Sequence, residues 1–331
     1  MRQLSRVLVT GGRGFLGGHL CEALLDAGSE VVCVDDLSSS SLSAHSRLVG
    51  RPGYRFVRHD MVDQLPAPLR FGPFDAVFHL ASPASPRDYQ RHQTATLRVG
   101  ASGTAVALDV AERCEARMIL ASTSEVYGDP QQHPQHESYW GNVNPIGPRS
   151  SYDEAKRYAE ALAFAYQRER GVDVAVARIF NTYGPHMRIE DGRAVPTFCW
   201  QALHNEPITV FGPGTQTRSL CYVDDTIAGL IALATSSCPG PVNIGNPEEL
   251  TVLQIAELIR GLADSSSPIE LLPASVEDPR RRCPDISQAR SALGWRPKVD
   301  HVEGLSATLA WFRECMGRED GPVKTRRGEH L

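Results

Sequence analysis

Residues 6–9, "RVLV", and 10–28, "TGGRGFLGGHLCEALLDAG", decide the fold when read together. The first run is short, apolar and rich in β-formers. The second begins as a glycine-rich turn and becomes a helix: Leu16, Leu20, Ala23, Leu24 and Ala27 keep helical spacing. Gly28 is a helix stop, and "EVVCVDD" (30–36) is a second strand. Gly11, Gly14 and Gly17 recur every third residue, with Gly12 giving an overlapping pattern. Glycines permit a tight turn and close backbone approach. The helix N-terminus behind them offers free N–H groups and a positive dipole end, which suits a pyrophosphate. Asp35 ends the second strand, where it can accept bonds from adenosine ribose hydroxyls. A carboxylate there repels a 2′-phosphate, so NAD is expected over NADP. Asp60 in "RHDMVD" suits the adenine edge, and a plain loop aspartate explains it nearly as well.

Outward from this unit the pattern repeats. "DAVFHLAS" (75–82), "RMILASTS" (117–124) and "VDVAVARIF" (172–180) read as strands. Residues 94–114 and 152–170 read as helices between them. The alternation predicts an α/β fold: a Rossmann-type, doubly wound parallel sheet covered on both faces. After about residue 181 the rhythm breaks, with frequent Gly and Pro ("NTYGP", "VFGPGTQ", "GNPEE"). The expected division is an NAD-binding domain over 1–180, rejoined by 220–246, and a smaller C-terminal substrate-binding lobe from 181–219 and 247–316. A helix is expected over 251–263, and a frayed polar tail over 317–331.

The chain has 331 residues, 41% hydrophobic and 22% charged, enough for a large core and, as a prior, two domains. Its net charge of −5 gives no reason to expect nucleic acid or an anionic membrane as partner. The basic cluster "DPRRRCPD" (278–285) reads as a solvated face or as an anion site. Eight scattered cysteines without CxxC, and eleven histidines without HExxH, give no zinc or disulfide framework; no metal is expected, and a reducing, cytoplasmic setting fits. No signal peptide or apolar run of membrane-spanning length is seen.

Tyr152 and Lys156 are four residues apart on a predicted helix and share a face. The ammonium can lower the tyrosine pKa so that the phenolate serves as a base. Thr123, at a strand end, can hold the same substrate hydroxyl. Thr123, Tyr152 and Lys156 behind a dinucleotide fold resemble the short-chain dehydrogenase/reductase set. The "TGxxGxxG" loop and C-terminal lobe resemble its extended, nucleotide-sugar branch. There a 4-epimerase needs no further carboxylate. A 4,6-dehydratase carries an Asp–Glu pair directly after the Thr, where this chain has Ser124–Glu125. A decarboxylase oxidises C4 of a uronic acid to a β-keto acid, which loses CO2 readily.

Six longer stretches sharpen this: "HLASPASP" (79–86), "LASTSEVYGDP" (120–130), "YWGNVNPIGPRSSYDEAKR" (139–157), "ARIFNTYGP" (177–185), "FGPGTQTRSLCYVDD" (211–225) and "VNIGNPEELT" (242–251). They resemble the UDP-glucuronate decarboxylases, or UDP-xylose synthases, over about residues 5–315. The resemblance implies decarboxylation of UDP-glucuronate to UDP-xylose through a 4-keto intermediate, with NAD recycled. It makes Tyr152 the general base and lets Lys156 hold it and the nicotinamide ribose. It puts Thr123 and Glu125 at the sugar, with Glu125 orienting the ring and the water that protonates C5. It places Arg218 at the C5–C6 end. Ala84, Ser85 and Tyr89 border the sugar, and Asn181 and Arg282 hold the diphosphate. Gly11, Gly14, Phe15, Leu16, Asp35, Asp36, Asp60, Met61, Leu80, Ser82, Thr182 and Arg193 lie along NAD. It also implies a homodimer paired through helices 94–114 and 152–170. Read alone, Tyr89 is packing, Asn181 a turn residue and Arg218 equally a surface arginine. The chain departs from the resemblance at Gly100, where Asn is usual, at Ala155, where Gly is common, and at Pro196 and Thr197. A 4,6-dehydratase or 4-epimerase is the alternative on the same fold. A non-catalytic dinucleotide-sensing protein is a third reading, and has no need of Tyr152 and Lys156.

Overall fold

The computed structural model describes residues 2–40, 47–274 and 281–317. Its first half builds β1 (Arg6–Thr10), β2 (Glu30–Asp35), β3 (Tyr54–Arg58), β4 (Ala76–His79), β5 (Arg117–Thr123) and β6 (Val174–Ile179). Beyond them come β7 (Thr182–Tyr183), β8 (Ile208–Phe211), β9 (Thr217–Ser219), β10 (Cys221–Tyr222), β11 (Val242–Ile244), β12 (Glu249–Thr251) and β13 (Ile269–Leu272). Seven strands form one parallel sheet in the order β11-β6-β5-β4-β1-β2-β3. The order turns back at β1, so a crevice opens above the carboxyl ends of β1 and β4.

The sheet is buried on both faces, and the strand alternation divides its side chains. Val7 and Val9 face one core with Leu20, Leu24, Ile227 and Leu230. Leu8 faces the other with Leu108, Met118, Ala159 and Ala163. Strand β11 reaches the sheet through the helix Val223–Thr235 and pairs with β6, Val242 opposite Ala177. The region 220–246 therefore packs with the first half of the chain.

The second half packs its own core from Val195, Phe198, Ile208, Val210, Ile255, Ile259, Leu305, Leu309 and Phe312. Helices Ala194–Leu203, Val252–Leu262 and His301–Met316 surround the pairs β8–β13 and β9–β12. Thr251 and Gln254 close a reciprocal capping box at the start of the second of these helices.

One element differs from expectation. Residues 94–114 are not one regular helix: Gln93–Arg98 and Thr104–Arg113 are joined by a π-helical turn, Val99–Gly103. Gly100 lies in that turn, pressed on the helix Ser150–Arg170. A Cβ added there would come within 2.6 Å of the Ala155 Cβ. The bulge accommodates this approach, which helical periodicity does not report. The tail beyond 317 and Arg280 of the basic cluster lie outside the described residues.

Candidate active site

A cleft of about 750 Å³ runs between the sheet's carboxyl edge and the second lobe. All the site residues named from the sequence line it, from Gly11 to Arg282. The volume is ample for a small-molecule site.

The cofactor end rests on backbone geometry. Gly11 has φ +70° and a Cβ there would meet the Ala81 backbone at 2.6 Å. A Cβ on Gly17 would strike the Gly11 carbonyl at 2.1 Å. The helix Phe15–Asp26 starts at Gly14 with no side-chain cap, and Phe15 and Leu16 line the cleft. This is a cradle that side chains would fill, and it fits a pyrophosphate. Asp35 accepts from the backbone N–H of Arg13 (3.0 Å) and Leu37 (2.8 Å), which fixes its carboxylate at the rim. Asp36 caps the turn at Ser38, and Asp60 accepts from the Val62 N–H at 3.0 Å. Met61 is buried, Leu80 and Ser82 half-buried. Thr182 is tied to the Phe180 carbonyl and Thr226. These residues fit a dinucleotide along the cleft.

At the other end, strand β5 delivers Thr123. Its hydroxyl accepts from the Glu125 N–H at 3.2 Å and hydrogen-bonds Tyr152. Tyr152 and Lys156 come from the first and second turns of the helix Ser150–Arg170. The expectation that Lys156 lowers the tyrosine pKa is not met. Its ammonium donates to the Ala121 carbonyl at 2.7 Å and lies 5.8 Å from the Tyr152 ring centre. Burial, with Glu125 nearby, pushes Tyr152 up to about 12, against the pull of the Thr123 hydrogen bond and Arg193. Burial lowers Lys156 to about 8.

Glu125 has partners that its sequence neighbourhood does not announce: its oxygens accept from two arginines. Arg149 Nη2 donates to Oε2 at 2.6 Å, Arg282 Nη2 donates to Oε2 at 2.8 Å, and Arg282 Nη1 donates to Oε1. Burial alone would raise this carboxyl, but the two guanidiniums overcome it and hold Glu125 at about 2. It is a fixed carboxylate at neutral pH and not a proton donor. Arg282 is 4% exposed and donates to Glu125 through both Nη atoms. Arg218 stands on β9 in the second lobe, half-buried, donating to the Thr217 carbonyl at 2.7 Å.

Among the remaining named residues, Tyr89 is 1% exposed and stacks on Tyr152, ring centres 5.1 Å apart and planes 8° from parallel. It is packing and cleft wall together. Ser85 is the N-cap of the helix Pro86–Arg91, accepting from the Asp88 N–H at 3.1 Å. Ala84 is exposed beside it. Asn181 is half-buried, and its carbonyl accepts the Cys221 N–H at 2.9 Å. Arg193 pairs with Asp191.

Two site residues escaped the sequence reading. Arg149 is the N-cap of the Tyr152 helix. A cation at the positive end of a helix dipole is unfavourable, so its position was itself a sign of another task. Asp153, next to Tyr152, is 5% exposed with Oδ1 unpartnered, and burial plus Glu125 push it up to about 7. The structure also gathers His133, Glu249 and Cys283, one ligand atom each within 4.8 Å. Glu249 there already pairs with His133 at 2.8 Å and bonds Thr217.

The chain matches the NAD dependent epimerase/dehydratase family over residues 7–245. It is 48% identical over 307 residues to UDP-glucuronic acid decarboxylase 1 of Danio rerio, covering 93% of this chain and 72% of the relative. It is 47% identical over 313 residues to UDP-glucuronic acid decarboxylase 6 of Arabidopsis thaliana, covering 94% and 90%. Among solved structures it resembles UDP-glucose 4-epimerase of Thermotoga maritima with UDP-glucose, at a TM-score of 0.85 and 28% identity, covering 94% and 99%. UDP-glucuronic acid 4-epimerase of Bacillus cereus, solved with UDP-glucuronic acid and NAD, gives 0.83 and 27%, covering 93% and 99%.

Proposed function

The chain belongs to the NAD dependent epimerase/dehydratase family, and from that premise we propose that it converts UDP-glucuronate to UDP-xylose and CO2. The carrying observation is the pairing of Glu125 with Arg282 beside Thr123 and Tyr152. Hydride chemistry at C4 needs only the hydroxyl set. A uronic acid adds a C6 carboxylate, and a buried arginine held in reserve by a glutamate suits that group. The relatives named decarboxylases favour this over the 4-epimerase reading. Ser124, in place of an acid, argues against a dehydratase.

NAD, when bound on the glycine loop and Asp35, supplies the hydride acceptor and returns the same hydride. Tyr152 and Thr123 share the substrate O4 hydroxyl. Tyr152 takes its proton as hydride leaves C4; its high pKa favours transfer concerted with hydride loss over a standing phenolate. Arg193 offsets the charge that develops on the tyrosine. The product is a 4-keto uronic acid. Its C5–C6 bond breaks, the electron pair passes into the C5–C4 enolate, and CO2 departs. Arg282, paired with Glu125 and lining the cleft, is assigned the C6 carboxylate in place of Arg218. Arg218 on β9, with Asn181, is left for the diphosphate. Once Arg282 has turned to the substrate carboxylate, a water held by the Glu125 oxygen it frees protonates C5, and a solvent proton neutralises the hydroxide left behind. Hydride returns to C4 and Tyr152 returns the O4 proton, with no net redox change.

A cytoplasmic homodimer is part of the same proposal. All eight cysteines are free thiols, which suits a reducing compartment. Among the described residues no helix is long and apolar enough to cross a membrane. Leu97 and Tyr158 are 43% and 52% exposed on the two helical segments expected to pair. Light scattering tests the dimer, and product analysis with UDP-glucuronate tests the reaction. UDP-galacturonate or a released 4-keto sugar as sole product would overturn the decarboxylase reading.

A further inference from the structure

We infer that Arg149 is a positioning residue: it keeps Glu125 fixed and ionised while Arg282 exchanges Glu125 for the C6 carboxylate of the substrate. The inference rests on the decarboxylase reading above and deepens it.

Two cations share one carboxylate here. Glu125 is bonded by Arg149 at 2.6 Å and by both Nη atoms of Arg282. The side chains are 12%, 17% and 5% exposed, so water screens them little. The cluster carries a net charge of one positive unit, which an incoming uronate monoanion neutralises. With a single arginine the balance would be zero. Substrate entry would then place two carboxylates beside one cation, which low-dielectric surroundings resist.

The two arginines are mounted differently. Arg149 is the N-cap of the catalytic helix, and its carbonyl accepts the Tyr152 N–H at 3.1 Å. Its guanidinium lies 5.9 Å from the Tyr89 ring centre, and Tyr89 stacks on Tyr152. It is part of the scaffold that carries the base. Arg282 comes from a separate segment, 157 residues from Glu125 in sequence, and keeps Nε buried without a partner. Arg149 is thus the fixed partner and Arg282 the one free to turn toward a ligand. When Arg282 leaves, Arg149 still satisfies Glu125, so the exchange strands no buried charge. The other titratable groups facing Glu125 are Tyr89, Tyr152 and Asp153.

UDP-xylose provides the discriminating probe, because it keeps every group of UDP-glucuronate except the C6 carboxylate. The experiment compares wild type with Arg149→Gln and Arg149→Lys, each loaded with NAD. It measures the Kd of both nucleotide sugars, and kcat and KM for UDP-glucuronate against pH. Losing a charge-assisted bond to a buried carboxylate is worth about tenfold or more. Arg149→Gln should weaken UDP-glucuronate by about tenfold or more and leave UDP-xylose within about twofold. Its acid limb in kcat/KM should move upward, because Glu125 loses a cation that holds it ionised. Arg149→Lys should restore part of both effects. Equal weakening for both sugars, weakening for neither, or an unmoved acid limb in Arg149→Gln overturns the inference. A failure of the decarboxylase reading would look different: wild type itself would yield no UDP-xylose.

Discussion

Replacing Gly100 by Ala should drive a methyl group into the catalytic helix. The added Cβ would lie 2.6 Å from the Ala155 Cβ and 3.0 Å from its Cα and carbonyl oxygen. Ordinary contact begins at 3.4 Å, so the gap is short by about 0.8 Å (3.4 less 2.6). Two of the three neighbours are backbone and cannot swing aside. Overpacking of this kind costs about 1–3 kcal/mol. Removing a glycine from a helical turn returns up to about 1 kcal/mol, which leaves a net loss of up to about 2 kcal/mol. Ala155→Gly alone costs about 1 kcal/mol through helix propensity. Combined, the second change removes the 2.6 Å contact and leaves the two backbone contacts at 3.0 Å, so the two should cost less together than their sum. The expected coupling is about 1 kcal/mol, above the roughly 0.5 kcal/mol within which independent sites add. The assay is urea unfolding of the NAD-loaded wild type, both single variants and the double variant. The single Gly100→Ala protein should also lose activity, because Lys156 adjoins Ala155. Strict additivity would refute the steric argument. The same geometry accounts for two departures seen in the sequence: the side chain missing at 100 and the extra methyl at 155 occupy one space.

Further outcomes follow from the site. Tyr152→Phe should lower turnover by about 10²–10⁴-fold while NAD stays bound; unchanged turnover would remove the tyrosine from catalysis. Glu125→Gln should bind NAD and UDP-glucuronate but slow CO2 release or C5 protonation, visible in single-turnover CO2 traces; full activity would reduce Glu125 to a packing residue. Asp153 is raised by burial and by Glu125 from 3.8 to about 7. Between about pH 4 and 7 the folded protein therefore keeps a proton that the unfolded chain has lost. Its stabilising effect is complete below that window and lost as pH rises through 7. Asp153→Asn should gain stability relative to wild type as pH increases from 4 to 8, and a pH-independent difference would contradict the assignment.

The dinucleotide half was legible because its signals are local. Strand, glycine turn, helix and Asp35 lie within 30 residues, and each follows from steric or dipolar rules. Tyr152 and Lys156 share a face for the same reason. What was not legible was the company each charge keeps. Glu125 meets Arg149 from 24 residues away and Arg282 from 157, and no periodicity links them. That is why Arg149 was overlooked and the pairing of Arg282 with Glu125 was not foreseen. The tyrosine–lysine spacing suggested a lowered phenol pKa, but burial around Tyr152 and the Ala121 carbonyl on Lys156 are tertiary facts. The π-helical turn at Val99–Gly103 answers a single close contact across two helices.

The most direct test of the central claim is the product formed from UDP-glucuronate by the purified, NAD-loaded protein, followed as CO2 and as nucleotide sugar. One CO2 and one UDP-xylose per UDP-glucuronate, with no net NADH, is the predicted result. UDP-galacturonate without CO2, or a 4-keto pentose with stoichiometric NADH, would contradict it.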